Sequence, residues 1–503
     1  MTCTIRKSSI VLALGAALMA GAAPSWAQQA SQTAKNVIFF LGDGMGPVTV
    51  TAARIYKGEK EIAAGADLET SERAELVMQK LGYAGRIKTF SNDGQTTDSA
   101  PSMAAYMTGV KMNNEVISMS TETQAYAPDG TQYINGEDTT CPQGNGQPVT
   151  TLLELAIEQG RATGVVSNTR LGHATPATTY AHVCNRNAYN TIAEQSVPGY
   201  PEFNPKLGSG IDVMLGGGWR NYLPKSAYPQ SRRTDDRNLV ADLTAQGYTY
   251  VDSGSALMTL DAANTNKLLG LFSNSEMAYE LDRVKLGLDQ PSLADMTQKA
   301  LEVLTKNDKG FFLMVEGGRI DHALHGTNAK RALEDTLALD AAIEKAVAFM
   351  EERDPGLANT LVVVTADHDH AIAFNGYTKI GNPILGLVHD YTTGEVVKAA
   401  DGKPYTTLVF GNGGRAPEGA VNPEDGDAFI SPSRSAERQD LSNADTTADN
   451  FLQEVGVPLG TPGAETHGGG DVMLYAGGAG ARHFRGTYDN TKVFEKVRAA
   501  AGL

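Results

Sequence analysis

Cysteine is scarce: the chain has three in 503 residues, Cys3, Cys141 and Cys184. A protein of this length with so few cannot rest on a disulfide framework, so a hydrophobic core must carry the fold. Long apolar runs are missing after the extreme N-terminus, so no later stretch is long enough to span a bilayer. Positive charge is in deficit, with 42 Lys and Arg against 58 Asp and Glu. That argues against nucleic acid as a specific partner, because phosphate backbones are bound by basic surfaces. An acidic chain still binds anions where metal ions supply local positive charge. No G-x-S-x-G elbow occurs, which leaves a lipase-like triad without support. Internal repeats and long low-complexity tracts are absent as well.

The N-terminus is the exception to the missing apolar runs. Arg6 and Lys7 precede an apolar stretch from Ile10 to about Ala20, and Ser25-Trp26-Ala27 puts small residues at the −3 and −1 positions of a cut. This is the pattern of a secretory signal peptide, and the stretch is shorter than the ~20 residues of a membrane anchor. Cleavage after Ala27 removes two basic residues and no acid, leaving 40 basic against 58 acidic residues and a formal charge of −18. The remaining chain, 28–503, is expected to be periplasmic or secreted, with no membrane attachment after cleavage. Cys141 and Cys184 stay in it, either bridged or as separate thiols; spacing alone does not choose.

Along the chain, short apolar β-rich runs alternate with helical patterns. Strands are expected at 36–41, 163–167, 211–215, 311–315, 361–365, 406–410 and 472–475, and helices at 149–159, 292–305 and 327–352. Alternation of this kind predicts an α/β fold with a mainly parallel central sheet and helices on both faces. Residues 113–148 and 371–465 break it, being polar and rich in turn formers, and read as insertions above the site. In open α/β sheets, ligands bind beyond the carboxyl ends of the strands.

The chemistry-bearing residues fall at such ends. After 311–315 comes Glu316-Gly-Gly-Arg-Ile-Asp321-His322-Ala-Leu-His325. A helical turn over 320–326 puts Asp321 and His325 on one face, a pair suited to zinc. After 361–364 comes Asp367-His368-Asp369-His370, four consecutive acid or imidazole side chains with little structural purpose. His467, in a glycine-rich stretch before the last strand, is ambiguous alone. Asp43 lies in a glycine loop after the first strand. Gly42, Gly44 and Gly46 resemble part of a dinucleotide fingerprint, but Pro47 takes the place of its third glycine. Ser99, in Thr97-Asp98-Ser99, opens a helical stretch whose first-turn N–H groups favour an anion; alternatively Asp98 or Ser99 merely caps the helix. Arg186 has the fork that grips phosphate oxygens, and His182 reads as structural.

Taken in order, Asp43, Asp98-Ser99, His173-Ala-Thr175, Arg186, Glu316…Asp321…His325, Asp367-His368 and His467 resemble the alkaline phosphatase family over nearly the whole mature chain. The segment 401–413 adds to the likeness. The resemblance implies hydrolysis of phosphate monoesters through a phosphoserine at Ser99, with Arg186 as phosphate clamp. It implies one zinc on Asp321, His325 and His467, and a second on Asp43, Asp367 and His368. One magnesium falls to Asp43, Thr175 and Glu316. His173 and His322 flank the metal and phosphate positions, as in the animal and marine-bacterial branch. A homodimer is implied too. Asp369 departs from the family's usual serine, and Cys184, two residues before Arg186, matches no pattern known in the animal enzymes. A sulfatase or phosphodiesterase of the same superfamily, a nucleotide-dependent oxidoreductase and a non-catalytic metal binder are the rival readings.

Overall fold

Seven consecutive residues, Asn36–Gly42, form the strand β1 at the centre of a ten-stranded sheet. The computed structural model describes residues 33–414, 438–459 and 464–503, with the backbone of two short strands at Ala420–Val421 and Ile430–Ser431. The expected signal segment, 1–27, lies outside the described residues. The other strands of the sheet are β2 (Tyr83–Lys88), β3 (Ala162–Arg170), β4 (Val213–Gly217), β5 (Tyr248–Val251) and β6 (Lys267–Leu271). Then come β7 (Phe311–Gly317), β8 (Thr360–Ala366), β9 (Val472–Gly478) and β10 (Gly486–Asp489). Their order is β10-β2-β9-β8-β1-β7-β3-β4-β6-β5. All neighbours run parallel except β9, which is antiparallel to both β8 and β2.

The central strands β1, β7 and β8 are buried on both faces, which is why they read as continuous apolar runs rather than alternations. The helices α1 (Pro47–Ala63), α2 (Ser99–Thr108), α3 (Ala174–Ala177), α4 (Leu293–Leu304), α5 (Arg319–His325) and α6 (Ala329–Glu351) are among those joining the strands, and α7 (Thr491–Ala501) follows the last of them. Ser292 caps α4 through a reciprocal pair with Asp295, as expected of a serine there. The long helix expected from 327 begins two residues later. Thr327 is left-handed at φ +54°, and the Asn328 side chain caps α6 instead, so α5 and α6 are separate helices.

Parallel pairing fixes the site. Gly42 lies beside Ala366 on one side and Gly317 on the other, and Glu316 pairs with Ser167 of β3. Asp43, Glu316 and Asp367 therefore leave the sheet at one level. The strand expected at 406–410 is Leu408–Gly414, and it belongs to a separate three-stranded sheet with Ile372–Phe374 and Glu454–Leu459, not to the central one. Residues 113–148 contain one small hairpin, Ile134–Asn135 with Asp138–Thr139. Among the described residues, no helix is long and apolar enough to cross a membrane.

Candidate active site

Ser99 is the first residue of α2, and it is only 2% exposed. Asp98 precedes it but does not cap the helix with its side chain. Its carboxylate accepts from the Glu115 N–H and pairs with Arg186. The helix is anchored to the end of β8, because Tyr106 Oη donates to the Ala366 carbonyl (2.7 Å) and Ser102 Oγ to the Asp367 carbonyl (2.6 Å). Those two bonds set Ser99 Oγ 3.2 Å from His368 Nε2 and 3.4 Å from Asp43 Oδ1.

Three groups of ligand-type atoms surround this serine, each within 4.8 Å of one another: Asp321, His325, His370 and His467; Asp43, Asp321 and His368; Asp43, His173 and Glu316. In the first, Asp321 Oδ1 is 3.3 Å from His325 Nε2, 3.5 Å from His467 Nε2 and 2.7 Å from His370 Nε2. In the second, His368 Nε2 is 3.2 Å from Asp43 Oδ1 and 3.9 Å from Asp321 Oδ1, and Asp367 Oδ2, outside the group, lies 3.6 Å from the same nitrogen. Beside the third, Thr175 Oγ1 donates to Asp43 Oδ2 at 3.3 Å, and Ser167 and Thr169 donate to Glu316 Oε2. Arg186 Nη2 lies 3.2 Å from His173 Nε2. The His173 and His322 rings meet edge-on at 5.3 Å. A cavity of about 440 Å³ opens over Ser99, Arg186, His173, His322 and His325. All twelve residues singled out from the sequence thus converge.

Two further residues belong here. His370 is buried between Asp321 and Glu465, its Nδ1 2.6 Å from Glu465 Oε2. The antiparallel pairing of Asp369–His370 with His467–Gly468 brings it beside His467. Two positions after His368 on an extended segment, His370 carried a readable period-2 cue; Glu465 carried none. Asp369, which stands where the family usually has serine, lies against the loop glycines: a Cβ at Gly46 would meet its Oδ1 at 1.7 Å and one at Gly470 its Oδ2 at 2.5 Å. Gly44 is left-handed, and a Cβ there would strike the His370 ring at 2.4 Å. The glycines that suggested a nucleotide loop thus serve close side-chain approach. His182 is structural, held by the Ser118 carbonyl and Glu154. Cys141 and Cys184 are bridged, with Cα atoms 6.0 Å apart.

Electrostatics divide the acids. Burial, then the Asp43 charge, pushes Glu316 and Asp367 well above the usual carboxylate range. Burial acts the same way on Asp321, but His325, His370 and His467 outweigh it and hold that carboxyl well below. Burial disfavours the Arg186 cation, yet Asp98 and Glu115 keep it firmly protonated.

The sequence profile of the family described as "Alkaline phosphatase" matches residues 34–503. The tissue-nonspecific alkaline phosphatase of Mus musculus is 35% identical over 525 aligned residues, covering 96% of this chain and 91% of that one. The alkaline phosphatase of Gadus morhua is 33% identical, covering 93% and 92%. Among solved structures, Thermus thermophilus alkaline phosphatase superposes with a TM-score of 0.64 at 25% identity, covering 98% of this chain and 96% of that one. These matches run through every strand of the sheet and every cluster around Ser99, and the chain belongs to the alkaline phosphatase family. It is a phosphoric monoester hydrolase.

Proposed function

We propose that the chain is an exported alkaline phosphatase that hydrolyses small phosphate monoesters through a phosphoserine on Ser99, at a site for two zinc ions and one magnesium ion. The observation that carries this reading is Ser99 Oγ itself: buried at a helix start, within 3.4 Å of both Asp43 and His368, and lining one cavity with Arg186.

The donor set fits the metals. Glu316 Oε1, Asp367 Oδ2 and His173 Nδ1 are buried and have no hydrogen-bond partner among the described residues. Buried polar atoms are seldom left so, and cations satisfy acids that otherwise need protons. His325 Nε2 and His467 Nε2 face each other at 3.1 Å, which a shared cation accommodates better than two lone pairs. Asp321, His325 and His467 would hold one zinc, and Asp43, Asp367 and His368 the other. Asp43, Thr175 and Glu316 would hold magnesium, which prefers hard oxygen ligands. His370, locked by Glu465, orients Asp321 as an outer partner. When bound, such ions supply the positive charge that acidifies a hydroxyl and offsets charge on a leaving oxygen.

In the first step Ser99 Oγ loses its proton and attacks phosphorus, forming the Ser–O–P bond as the ester P–O bond breaks and the alcohol leaves. In the second, water attacks the same phosphorus, the Ser–O–P bond breaks, and phosphate and the Ser99 hydroxyl are restored. Arg186, held by Asp98, binds the non-bridging oxygens, so positioning and charge stabilisation supply most of the rate.

The direct test is turnover of an aryl phosphate before and after chelation, with zinc and magnesium returned. Activity should vanish and come back, and should exceed activity on a phosphodiester and a sulfate ester. Preference for the diester or the sulfate would favour a relative within the superfamily.

Arg186→Ala should weaken inorganic phosphate binding by about 1.5–3 kcal/mol, the range of a charge-assisted hydrogen bond, read as product inhibition. Glu316→Gln keeps the shape and removes the charge. It should lower the magnesium response and the rate while most zinc stays; loss of both zinc ions with magnesium kept would reverse the division of ligands. Because His173 shares the Asp43 and Glu316 group, metal analysis of that variant also identifies the third ion.

We place the mature chain, 28–503, in the periplasm or outside the cell as one catalytic domain, with residues 113–148 and 371–465 as its insertions. Mature N-terminal sequencing should begin at Gln28. A homodimer is supported by apolar side chains such as Ile380 and Tyr391 standing exposed on the second insertion, where Tyr377 is 86% exposed. Sedimentation at micromolar concentration should give twice the chain mass.

A further inference from the structure

Arg186 stands on irregular backbone. The segment from Val183 to Asn187 belongs to no helix or extended strand. It touches the facing chain through the Ile117–Val183 bridge and a 2.7 Å bond from the Arg186 N–H to the Glu115 carbonyl. That facing chain is itself strained, with Glu115 at φ +72° and Ser118 at φ +46°, left-handed values that non-glycine residues hold only when their surroundings over-determine them. Between these two contacts sits Cys184, fully buried and bonded to Cys141. The Cys141 side is anchored in turn: the Cys141 N–H reaches Thr139 Oγ1, the Thr139 N–H reaches Thr191 Oγ1 at 3.0 Å, and the Asn190 N–H reaches the Glu137 carbonyl at 2.8 Å. The disulfide therefore ties the arginine's loop to the 134–139 hairpin and to the start of the helix Tyr189–Gln195.

We infer that the Cys141–Cys184 disulfide positions Arg186 for phosphate, so that affinity for phosphate and phosphomonoesters depends on this bond being oxidised. The inference rests on the reading of Arg186 as the clamp. Cys184 and Arg186 are two residues apart, so a shift at one is passed nearly whole to the other, the chain between them reaching at most ~7 Å. A forked guanidinium grips phosphate only in a narrow range of position and tilt, and tolerances at such sites are about 0.5 Å. The Asp98 pair holds the far end of the side chain; the disulfide holds its root. Reduction gives two thiols: the two electrons come from a thiol, which becomes a disulfide, or from a phosphine, which becomes its oxide, and the two protons come from the thiol or from water; the clamp loop then keeps its backbone contacts and the side-chain bonds of Asn185, Arg186 and Asn187, but loses its covalent tie.

The experiment compares wild type with the Cys141→Ser, Cys184→Ser double variant, each with and without Arg186→Ala, at a temperature well below every melting point. Inhibition by inorganic phosphate, KM, kcat and metal content are measured together. The expected result is a rise of about 3- to 10-fold in both the phosphate inhibition constant and KM, with kcat changed less than about 2-fold and metals retained. In the Arg186→Ala background, removing the bridge should add nothing. Equal weakening in both backgrounds, or none in the wild-type background, overturns the inference. Should Arg186→Ala alone leave phosphate inhibition unchanged, the clamp reading falls and this inference with it. If the serine pair folds poorly, reduction of folded wild type by a phosphine, which does not compete for zinc as a dithiol does, gives the same comparison with free thiols counted.

Discussion

Ser99→Ala should lower steady-state turnover of phosphate monoesters by about 10³-fold or more, the scale on which loss of an enzymic nucleophile is felt, while zinc and magnesium contents stay at wild-type values. The substitution removes one oxygen and little else. Ser99 opens α2 but is not its cap, and Asp98, which precedes it, spends its carboxylate on Glu115 and Arg186. Alanine is at home in a first helical turn, so the helix and its anchors at Tyr106 and Ser102 should persist. The change leaves the surrounding carboxylates and imidazoles in place, so they remain available as donors. What disappears is a hydroxyl within reach of both Asp43 and His368. The check has two parts. Turnover and metal analysis separate loss of chemistry from loss of site. Acid quenching during turnover, followed by peptide mass analysis, should find phosphate on Ser99 in the wild type. Phosphate on any other residue would sink the assignment.

Much of this site was readable because β1, β7 and β8 are buried on both faces. Each is a continuous apolar run that stops abruptly at an acid or histidine, and parallel register carries those stops to one level. The edges of the sheet were less visible. β2 alternates buried and exposed residues around Gly85 and Arg86, and β5, β6 and β10 span four or five residues each. Such short strands, β5 and β10 half-polar besides, look like loops until a neighbour pairs with them. Leu408–Gly414 has the right propensity for a strand but the wrong sheet, since nothing in its own residues names its partner. The same holds for side chains. Asp98 had the local pattern of a cap, and a tertiary pair with Arg186, 88 residues away, claimed it instead. His370 and Glu465 act through each other across 95 residues, so neither declares its use locally. The disulfide was undecided from spacing and is plain once the two Cα atoms are seen 6.0 Å apart.

Chelation should lower the melting temperature, and the gap to the metal-loaded enzyme should widen as pH rises from 7 to 9. Asp43, Glu316, Asp367 and His368 are wholly buried. Without cations, burial and then the Asp43 charge raise the Glu316 and Asp367 carboxyls well above their usual range. Burial works against the His368 cation, but Asp367 and Asp43 push the imidazole up to about 9. Glu465 and Asp321 likewise overcome burial and hold His370 well above its ordinary value. All four groups thus bind protons more tightly folded than unfolded. For His368, that stabilisation is complete below the ordinary imidazole value of about 6.5 and is lost as pH climbs through about 9; His370, held well above its ordinary value, changes with the same sign. The two carboxyls change with the same sign, because the folded chain gives up their protons at a higher pH than the unfolded chain does, so stability falls as pH rises. Opposing groups do not cancel this. Asp321 is held low, so its contribution is already complete above the usual carboxylate range. His173 and His467, held low first by burial, lose stability only on the acid side of about 6.5. Bound metals displace these protons, and at free concentrations near 1,000 times the dissociation constant each site adds about 4 kcal/mol. Scanning calorimetry of chelated and reloaded protein at pH 7, 8 and 9 measures the gap directly. A gap that narrows with pH, or a melting curve indifferent to chelator, would mean that the buried acids and imidazoles around Ser99 do not hold the ions.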